Sequence, residues 1–241
     1  MVKEKIKALV RGELEGWRAW EILWMTVAIA VIIGLSLYWN DTVMGIISSV
    51  TGVACVVCTG KGKLSAYLFG LVNCVLYAII AYKATYYGET MLNLFYYVPM
   101  QFVGFFVWAK NMNPETGEVN KKHMSGRARI LMTAIIAAAT YAYGLVLAAL
   151  GDAMPFVDSF TTVCSVVAMV VSVGMFAEQW WIWVAVNVFS VYLWWTSFAI
   201  GADNIATLLM WIVYLGNSVI MLVKWERDAI RAEKEAAEYE I

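Results

Sequence analysis

The chain has 241 residues, of which 62% are hydrophobic and 15% are charged, and its mean hydropathy is +0.71. Soluble domains carry about 45–50% apolar and about 25% charged residues, so this composition excludes a water-soluble enzyme, a nucleic-acid-binding protein and a disordered linker. The 17 Lys and Arg nearly balance the 18 Asp and Glu, and only three prolines interrupt the chain, which favours long helices. The composition therefore predicts an all-α polytopic membrane protein.

Eight segments are long and apolar enough to cross a hydrocarbon layer about 30 Å thick, which takes roughly 20 residues of helix. They cover residues 22–40, 42–59, 64–83, 90–109, 129–150, 156–177, 179–200 and 204–224. The only long break between them is 110–128. We expect no cleavable signal peptide, because the first 20 residues are charged and the apolar run that follows them is too long.

The two ends of the chain carry no predicted function. Apolar residues recur at the N-terminus in helical spacing: Ile6, Val10, Leu14, Trp17 and Trp20. This pattern is typical of an amphipathic segment lying on a membrane surface, and a frayed polar tail fits it equally well. The last 17 residues mix Glu, Arg, Lys and Ala, which indicates a solvated helical extension.

The basic residues are distributed very unevenly between the two sides that eight spans define. Sixteen of the 17 Lys and Arg lie in the termini and in every second loop, whereas the opposite side has only Lys83. Because Lys and Arg are retained in the cytoplasm, the sequence predicts that both termini are cytoplasmic.

The sequence matches itself weakly at an offset of 114 residues. The matched segments are Val53-Ala54 with Val167-Ala168, Val56-Val57 with Val170-Val171, Gly60 with Gly174, and Val72-Asn73 with Val186-Asn187. The recurring mid-helix asparagine is the informative match, because aliphatic matches are common among membrane helices and accidental similarity is the alternative. When this offset is extended along the chain, it pairs residues 42–109 with residues 156–224, three spans each. It therefore predicts two parallel three-helix repeats, an architecture of transporters with a substrate site near the midplane.

The repeat divides the chain into five predicted parts. They are an N-terminal amphipathic segment with an extra transmembrane helix (1–41), the first three-helix repeat (42–110), a cytoplasmic loop with a linking helix (111–151), the second repeat (152–225) and a cytoplasmic tail (226–241).

Three amide side chains lie near mid-membrane depth. At 1.5 Å per residue, Asn73, Asn187 and Gln101 lie ~14, ~12 and ~16 Å from the starts of their spans. A single amide often only bonds neighbouring helices together, but three at one depth favour a substrate site. Pro99 lies two residues before Gln101 and predicts a kink. Interrupted helices recur beside midplane sites, and a kink that serves helix packing alone is the alternative.

Trp180, Trp183 and Asn187 share one face of their helix, because their spacing of three and seven residues places them within a stripe of about 60°. Trp181 and Trp195 point elsewhere and are typical of the aromatic belt at a membrane interface. Two indoles leading to an amide form a site for a flat aromatic ligand, and indole faces also attract an organic cation.

The sequence lacks other chemistry inside the membrane. No Asp, Glu, Lys, Arg or His lies in the middle of a span, and proton relays use such residues. The lone His123 cannot form a metal site by itself, and neither the HExxH nor the P-loop pattern occurs. We therefore predict no catalytic residue, no metal and no cofactor.

The motif Trp180-x-x-Trp183-x-x-x-Asn187, in two three-helix repeats joined by one linking helix, resembles the PnuC family of vitamin B3-type transporters. The resemblance covers residues 42–224 and leaves 22–40 as an extra helix. It implies that the chain takes up nicotinamide riboside by facilitated diffusion across the bacterial inner (cytoplasmic) membrane. It also implies that a cytoplasmic kinase traps the substrate by phosphorylation, and that the protein is a homotrimer.

The resemblance and the polar residues together define the expected substrate-binding set: Trp180, Trp183, Asn187, Asn73, Gln101, Phe69 and Tyr214. In the first repeat the motif positions hold Ala66, Phe69 and Asn73, so only the asparagine is shared. Thiamine and riboflavin, which are also flat vitamins, remain alternative substrates. The layout is also similar to the SWEET sugar facilitators, which lack the tryptophan pair, and a receptor that binds without transporting is a further alternative.

Overall fold

The computed structural model describes residues 11–84, 86–151, 155–201 and 205–239, and these ranges are helical apart from connections and isolated bridges. In chain order the helices are α1 (Ala19–Tyr38), α2 (Val43–Lys61), α3 (Ser65–Lys83), α4 (Tyr87–Met91), the π-helix π1 (Leu92–Tyr97), α5 (Val98–Lys110), α6 (Gly126–Ala149), α7 (Pro155–Val173), α8 (Gln179–Ala199) and α9 (Ile205–Tyr239). Within the described ranges, eight segments are long and apolar enough to cross a membrane, one of them running from α4 through π1 into α5. The eight predicted spans are confirmed.

The interruption predicted at Pro99 takes the form of a π-helix. Helix π1 ends directly before α5, which has Pro99 in its first turn. Proline lacks an N–H and its ring clashes with the carbonyl four residues earlier, here that of Phe95, and the wider π-turn accommodates this. Within π1, Asn93 is buried and its Nδ2 donates to the carbonyl of Glu89 at 2.8 Å. The irregular segment thus contains a buried amide, and π-bulges inside helices are frequent at functional sites.

Helix α9 extends well beyond the predicted membrane span. It runs from Ile205 to Tyr239 as one helix, so the part predicted as a tail from 226 is a continuation of the last span. The side chains described at its end, residues 231–235, are exposed. The helical character of the predicted extension agrees with the described residues, but Trp225 and Ala229 at its start are buried and not solvated.

The described part of the N-terminal segment, from residue 11 onward, packs on the turn between α2 and α3 and is not frayed there. Lys63, whose side chain has 0% of its surface exposed, donates to the carbonyls of Gly12 at 2.5 Å, Glu15 at 3.0 Å and Gly117 at 2.9 Å. Burial lowers the pKa of Lys63, and neighbouring carboxylates partly offset that effect. One buried ammonium therefore joins two chain segments to this turn. The residues Ile6 and Val10 of the amphipathic pattern lie outside the described residues.

Acidic side chains complete this contact. The carboxylate of Glu13 accepts the backbone N–H groups of Leu64 at 2.8 Å and Ser65 at 3.1 Å, which caps the start of α3. Lys61 is buried and forms ion pairs with Glu21 at 2.8 Å and Glu118 at 3.0 Å. Isolated buried charges are costly, so these ion pairs explain how Lys61 is tolerated there, as the three carbonyls do for Lys63.

The described chain divides into two compact units. Unit 1 comprises Met1–Asn120 and Ser190–Asn217, and unit 2 comprises Lys121–Phe189 and Ser218–Ile241. The boundary falls inside α8 and α9, so these units do not coincide with the predicted repeats. In unit 1, α3 packs against α2 and α5; in unit 2, α6 packs against α7.

The backbone repeats at the turns that follow α2 and α7, but the offset between these two turns is 113 residues and not the predicted 114. Gly62 after α2 and Met175 after α7 both adopt a left-handed conformation, with φ of 82° and 63°. The next residue in each case bonds back five positions, Lys63 N–H to Cys58 and Phe176 N–H to Val171. The helices that follow start with matching bonds at the same offset, from Tyr67 to Leu64 and from Trp180 to Ala177.

This register corrects the predicted asparagine match. At an offset of 113, Asn187 is equivalent to Cys74, and Asn73 is equivalent to Val186. A one-residue shift rotates a helical position by about 100°, so Asn73 and Asn187 occupy different faces of their respective helices. The signature positions also change, and the equivalents of Trp180 and Trp183 are Tyr67 and Gly70.

Candidate substrate site

Asn73 is the centre of a polar group inside unit 1, which we name the amide cluster: Ser48, Asn73, Met210 and Tyr214. Asn73 Nδ2 donates to the carbonyl of Ser48 at 2.8 Å and contacts Met210 Sδ at 3.5 Å. The Tyr214 hydroxyl donates to Asn73 Oδ1 at 3.4 Å. Gly52 allows this close approach, because a Cβ there would collide with the Tyr214 hydroxyl and lie 2.8 Å from Asn73 Nδ2.

Gln101 is buried beside α3 in the same unit. Its Nε2 donates to Cys74 Sγ at 3.6 Å. A Cβ on Gly70 would lie 2.5 Å from Gln101 Oε1 and 3.0 Å from Cys55 Sγ. Gln101 thus fills the space that the missing side chain of Gly70 leaves on α3.

Phe69 precedes Asn73 by one helical turn and shares its face of α3. Its side chain is 39% exposed. The structure therefore leaves much of this ring accessible beside the amide cluster.

An aromatic group that the sequence reasoning missed adjoins the amide cluster in unit 1. We name Tyr77, Tyr86, Trp194 and Trp211 the aromatic cluster. Trp194 Nε1 donates to the Tyr77 hydroxyl at 3.0 Å, and Trp194 has 0% of its surface exposed. Trp211 joins the two clusters, because its ring centroid lies 5.9 Å from that of Tyr77 and 5.2 Å from that of Tyr214. Helical spacing could have indicated this contact, because residues three or four apart are neighbours on a helix surface. Tyr77 follows Asn73 by four residues, and Tyr214 follows Trp211 by three.

In unit 2, Trp180 and Asn187 of the predicted stripe both contact α9. The Trp180 ring meets that of Trp225 edge to face, with centroids 5.9 Å apart, and Asn187 Nδ2 donates to Ser218 Oγ at 3.3 Å. Trp180 is 3% exposed, and Trp180 Nε1 and Asn187 Oδ1 have no hydrogen-bond partner within the described residues. A buried donor or acceptor without a partner is costly, so these two atoms are suited to bind a ligand or water.

Trp183 is half-buried and packs on the apolar cluster of unit 2. Trp181 and Trp195 are 61% and 57% exposed, as their helix positions predict. Trp181 Nε1 also donates to Glu226 at 3.3 Å, a contact that the sequence did not indicate.

The α3 positions equivalent to the stripe make corresponding contacts within unit 1. Tyr67 meets Trp108 edge to face at 5.0 Å, as Trp180 meets Trp225 in unit 2. Cys74 contacts Gln101 of the third helix of its repeat, as Asn187 contacts Ser218. The second helix of each repeat therefore packs on the third helix through equivalent positions.

Besides Gln179 at the start of α8, two buried amides in the interior of spans were missed in the sequence. Asn93 in π1 is 4% exposed, and Asn217 in α9 is 0% exposed and donates to the carbonyl of Val56 at 3.0 Å. Both could have been found in the sequence by the criterion that selected Asn73, which is an amide side chain inside an apolar span. Across the described ranges, three or more His, Cys, Asp or Glu do not converge as metal ligands.

Comparisons with known proteins agree on one family. The family model described as nicotinamide mononucleotide transporter matches residues 42–227. The chain is 39% identical over 217 residues to the nicotinamide riboside transporter PnuC of Neisseria mucosa, covering 88% of this chain and 82% of the relative. It is 31% identical to that of Haemophilus influenzae, covering 89% and 92%. The crystal structure of a vitamin B3 transporter PnuC superposes with a TM-score of 0.84 at 37% identity, covering 93% of this chain and 98% of that one.

Proposed function

The chain belongs to the nicotinamide mononucleotide transporter family, and we propose that it carries nicotinamide riboside across the membrane by facilitated diffusion. The family makes it a membrane transporter and not an enzyme. The observation that carries the substrate proposal is the combination of uncharged amides and aromatic rings inside membrane spans. Nicotinamide riboside has a flat pyridinium cation, a carboxamide and ribose hydroxyls, which these groups match.

In unit 1 we propose that Asn73, Gln101 and Tyr214 hydrogen-bond the polar groups of the substrate and that Phe69 contacts its ring. Asn73 and Tyr214 are joined by a long hydrogen bond of 3.4 Å, which a ligand hydroxyl can replace. Gln101 is held by α3 on one side through Cys74. These contacts orient the amides before the substrate arrives, which reduces the entropic cost of binding.

In unit 2 we propose that Trp183 contacts the pyridinium ring and that Asn187 Oδ1 accepts a hydrogen bond from the substrate. The Asn187 amide is fixed through Nδ2 by Ser218, leaving Oδ1 without a partner among the described residues. Trp180 packs on Trp225 and positions this helix face, and its Nε1–H is available as a donor.

No Asp, Glu, Lys, Arg or His lies in the middle of a predicted span, which supports downhill transport without a coupled proton. Net uptake then needs a low internal concentration of substrate. We propose that phosphorylation by a cytoplasmic kinase supplies it, because the added phosphate charge prevents the product from returning.

Transport by the purified protein in proteoliposomes tests the function. Labelled nicotinamide riboside should equilibrate across the membrane without ATP or an ion gradient. Binding without flux would favour a receptor, and flux that requires a proton gradient would contradict facilitated diffusion. Competition by unlabelled thiamine and riboflavin at equal concentrations should be weaker than competition by nicotinamide riboside.

We propose that both termini face the cytoplasm across the bacterial inner membrane, because 16 of 17 basic residues lie on that side. A reporter active only in the periplasm, fused after Ile241, should give no signal. We also propose a homotrimer. The α6 span is only 6% buried within the chain, which leaves an apolar face for neighbouring copies, and native mass spectrometry should show three chains.

A further inference from the structure

We propose that Tyr77 and Trp194 form a gate that closes one end of the substrate path in unit 1; this rests on the transport function proposed above. Tyr77 lies one helical turn beyond Asn73 on α3, and Trp211 lies one turn before Tyr214 on α9. The aromatic cluster therefore borders the amide cluster towards the C-terminal end of α3, away from the α2–α3 turn.

The rings of the aromatic cluster contact one another directly. The centroids of Tyr77 and Trp194 are 5.8 Å apart, those of Tyr77 and Trp211 are 5.9 Å apart, and those of Tyr86 and Trp194 are 5.2 Å apart. Trp194 is 0% and Tyr77 is 3% exposed. Such separations are direct ring contact, so a flat heteroaromatic molecule passes between Tyr77 and Trp194 only when a ring moves.

The contacts that hold the gate closed are weak enough individually for the rings to separate. Three helices, α3, α8 and α9, each contribute a ring, and the hydrogen bond from Trp194 Nε1 to the Tyr77 hydroxyl is between neutral groups. Such bonds and edge-to-face ring pairs are individually modest. Rings that separate also expose their faces, on which a flat cation can stack during passage.

The proposed topology assigns a side to this gate. Helix α3 ends at Lys83, the one basic residue on the side assigned to the periplasm. The gate therefore separates the amide cluster from the periplasm and is closed in this structure.

A natural cysteine reports on gate opening. Cys74 follows Asn73 on α3, is buried and contacts Gln101. For this experiment the other free cysteines, which are Cys55, Cys58 and Cys164, are first replaced by Ala. A membrane-impermeant maleimide then labels Cys74 in right-side-out or inside-out vesicles, and the labelling rate measures access from each side.

Trp194→Ala should speed labelling from the periplasmic side at least about tenfold, a factor equivalent to about 1.4 kcal/mol of opening free energy. Labelling from the cytoplasmic side should change less than about twofold. Tyr77→Phe, which removes only the hydrogen bond, should give a smaller increase from the same side. Trp195→Ala is the matched control, because this neighbour on α8 is 57% exposed and should have no effect.

Equal acceleration from both sides would overturn the gate, since it would indicate a general loosening of the helices. Unchanged labelling in both Trp194→Ala and Tyr77→Phe would overturn it as well. If Trp194→Ala does not fold, Trp194→Phe takes its place with the same expected direction. Failure of the proposed function is distinguishable: wild-type proteoliposomes would then lack nicotinamide riboside flux, while the one-sided labelling would still support the gate.

Discussion

The second helices of the two repeats, α3 and α8, begin with the same backbone geometry but carry different chemistry. The α3 positions are Tyr67, Gly70 and Cys74, and the α8 positions are Trp180, Trp183 and Asn187. On α3 the central position has no side chain, and Gln101 occupies the space beside it. On α8 the central position holds a half-buried indole between two side chains that each retain an unpaired polar atom within the described structure. A shared backbone turn thus precedes two helices whose corresponding positions differ in chemistry.

The turns that precede these helices differ as well. At the first turn, Lys63 donates to three backbone carbonyls and is fully buried. At the second, the equivalent residue is Phe176, over whose ring Lys122 Nζ lies at 4.6 Å. A buried ammonium with three hydrogen bonds fixes its neighbours more strongly than a cation–π contact at a partly exposed site. We therefore expect the first turn to depend on one side chain and the second not to.

Lys63→Met gives the largest expected effect. It should lower the free energy of unfolding by about 3 kcal/mol, because three carbonyls lose their donor and each unsatisfied buried group costs about 1–3 kcal/mol. Denaturation of the purified protein in mixed detergent micelles measures it. Phe176→Met at the equivalent position is the control and should cost less than about 1.5 kcal/mol. Equal losses would remove the distinction between the turns.

Trp183→Ala tests whether the α8 face, which differs from the corresponding face of α3, binds the substrate. It should weaken nicotinamide riboside binding at least about 30-fold, because a desolvated cation–π contact contributes about 2 kcal/mol and each 1.4 kcal/mol is a factor of ten. Asn187→Leu should be similarly severe, since it leaves a polar group of the substrate unpaired. Isothermal titration of folded variants measures both.

Trp181→Ala is the control for that series. Trp181 is 61% exposed, so its removal should change binding less than about threefold, which is within about 0.7 kcal/mol. A larger loss from Trp181→Ala than from Trp183→Ala would mean that the opposite face of α8 meets the substrate.

The eight spans and the α8 stripe were predictable because each depends on local sequence. Hydropathy over 20 residues fixes a span, and helical spacing fixes which of Trp180, Trp181 and Trp183 share a face. The exposure of Trp181 and the burial of Trp180 agree with that spacing.

The repeat register and the polar contacts of the first turn were not predictable in this way. Valine and alanine recur in most membrane helices, so a self-match cannot fix an offset to one residue, and one residue is about 100° of rotation. The contacts of Lys63 join residues 48 to 54 positions apart in the chain. No local pattern distinguishes that buried lysine from one retained in a cytoplasmic loop.

Tyr67→Phe tests whether the α3 positions serve packing alone. The Tyr67 hydroxyl is buried and has no hydrogen-bond partner among the described residues, while its ring contacts Trp108. Removing an unsatisfied buried hydroxyl should leave stability unchanged or raise it by about 1 kcal/mol, with no change in substrate affinity. A loss of affinity would instead assign this helix face a direct part in binding.

The smallest expected effect concerns His123, which ties the segment before α6 to the end of α9 in unit 2. Its Nε2 lies 2.9 Å from Glu226 and its Nδ1 lies 3.0 Å from Glu233. Partial burial alone would lower the pKa of His123, but the hydrogen bonds and charges of the two carboxylates outweigh it and raise the pKa. The folded state therefore holds the proton more tightly than the unfolded chain, whose histidine pKa is about 6.5. Stability from this contact is fully present below about pH 6.5 and is lost as pH rises through the raised value.

His123→Gln should therefore destabilise the protein by at most about 1 kcal/mol, as partly exposed ion pairs do. The difference from wild type should be larger at pH 6 than at pH 9 in the same detergent denaturation. A difference that grows with pH would mean that neutral His123, and not the imidazolium, makes the contact.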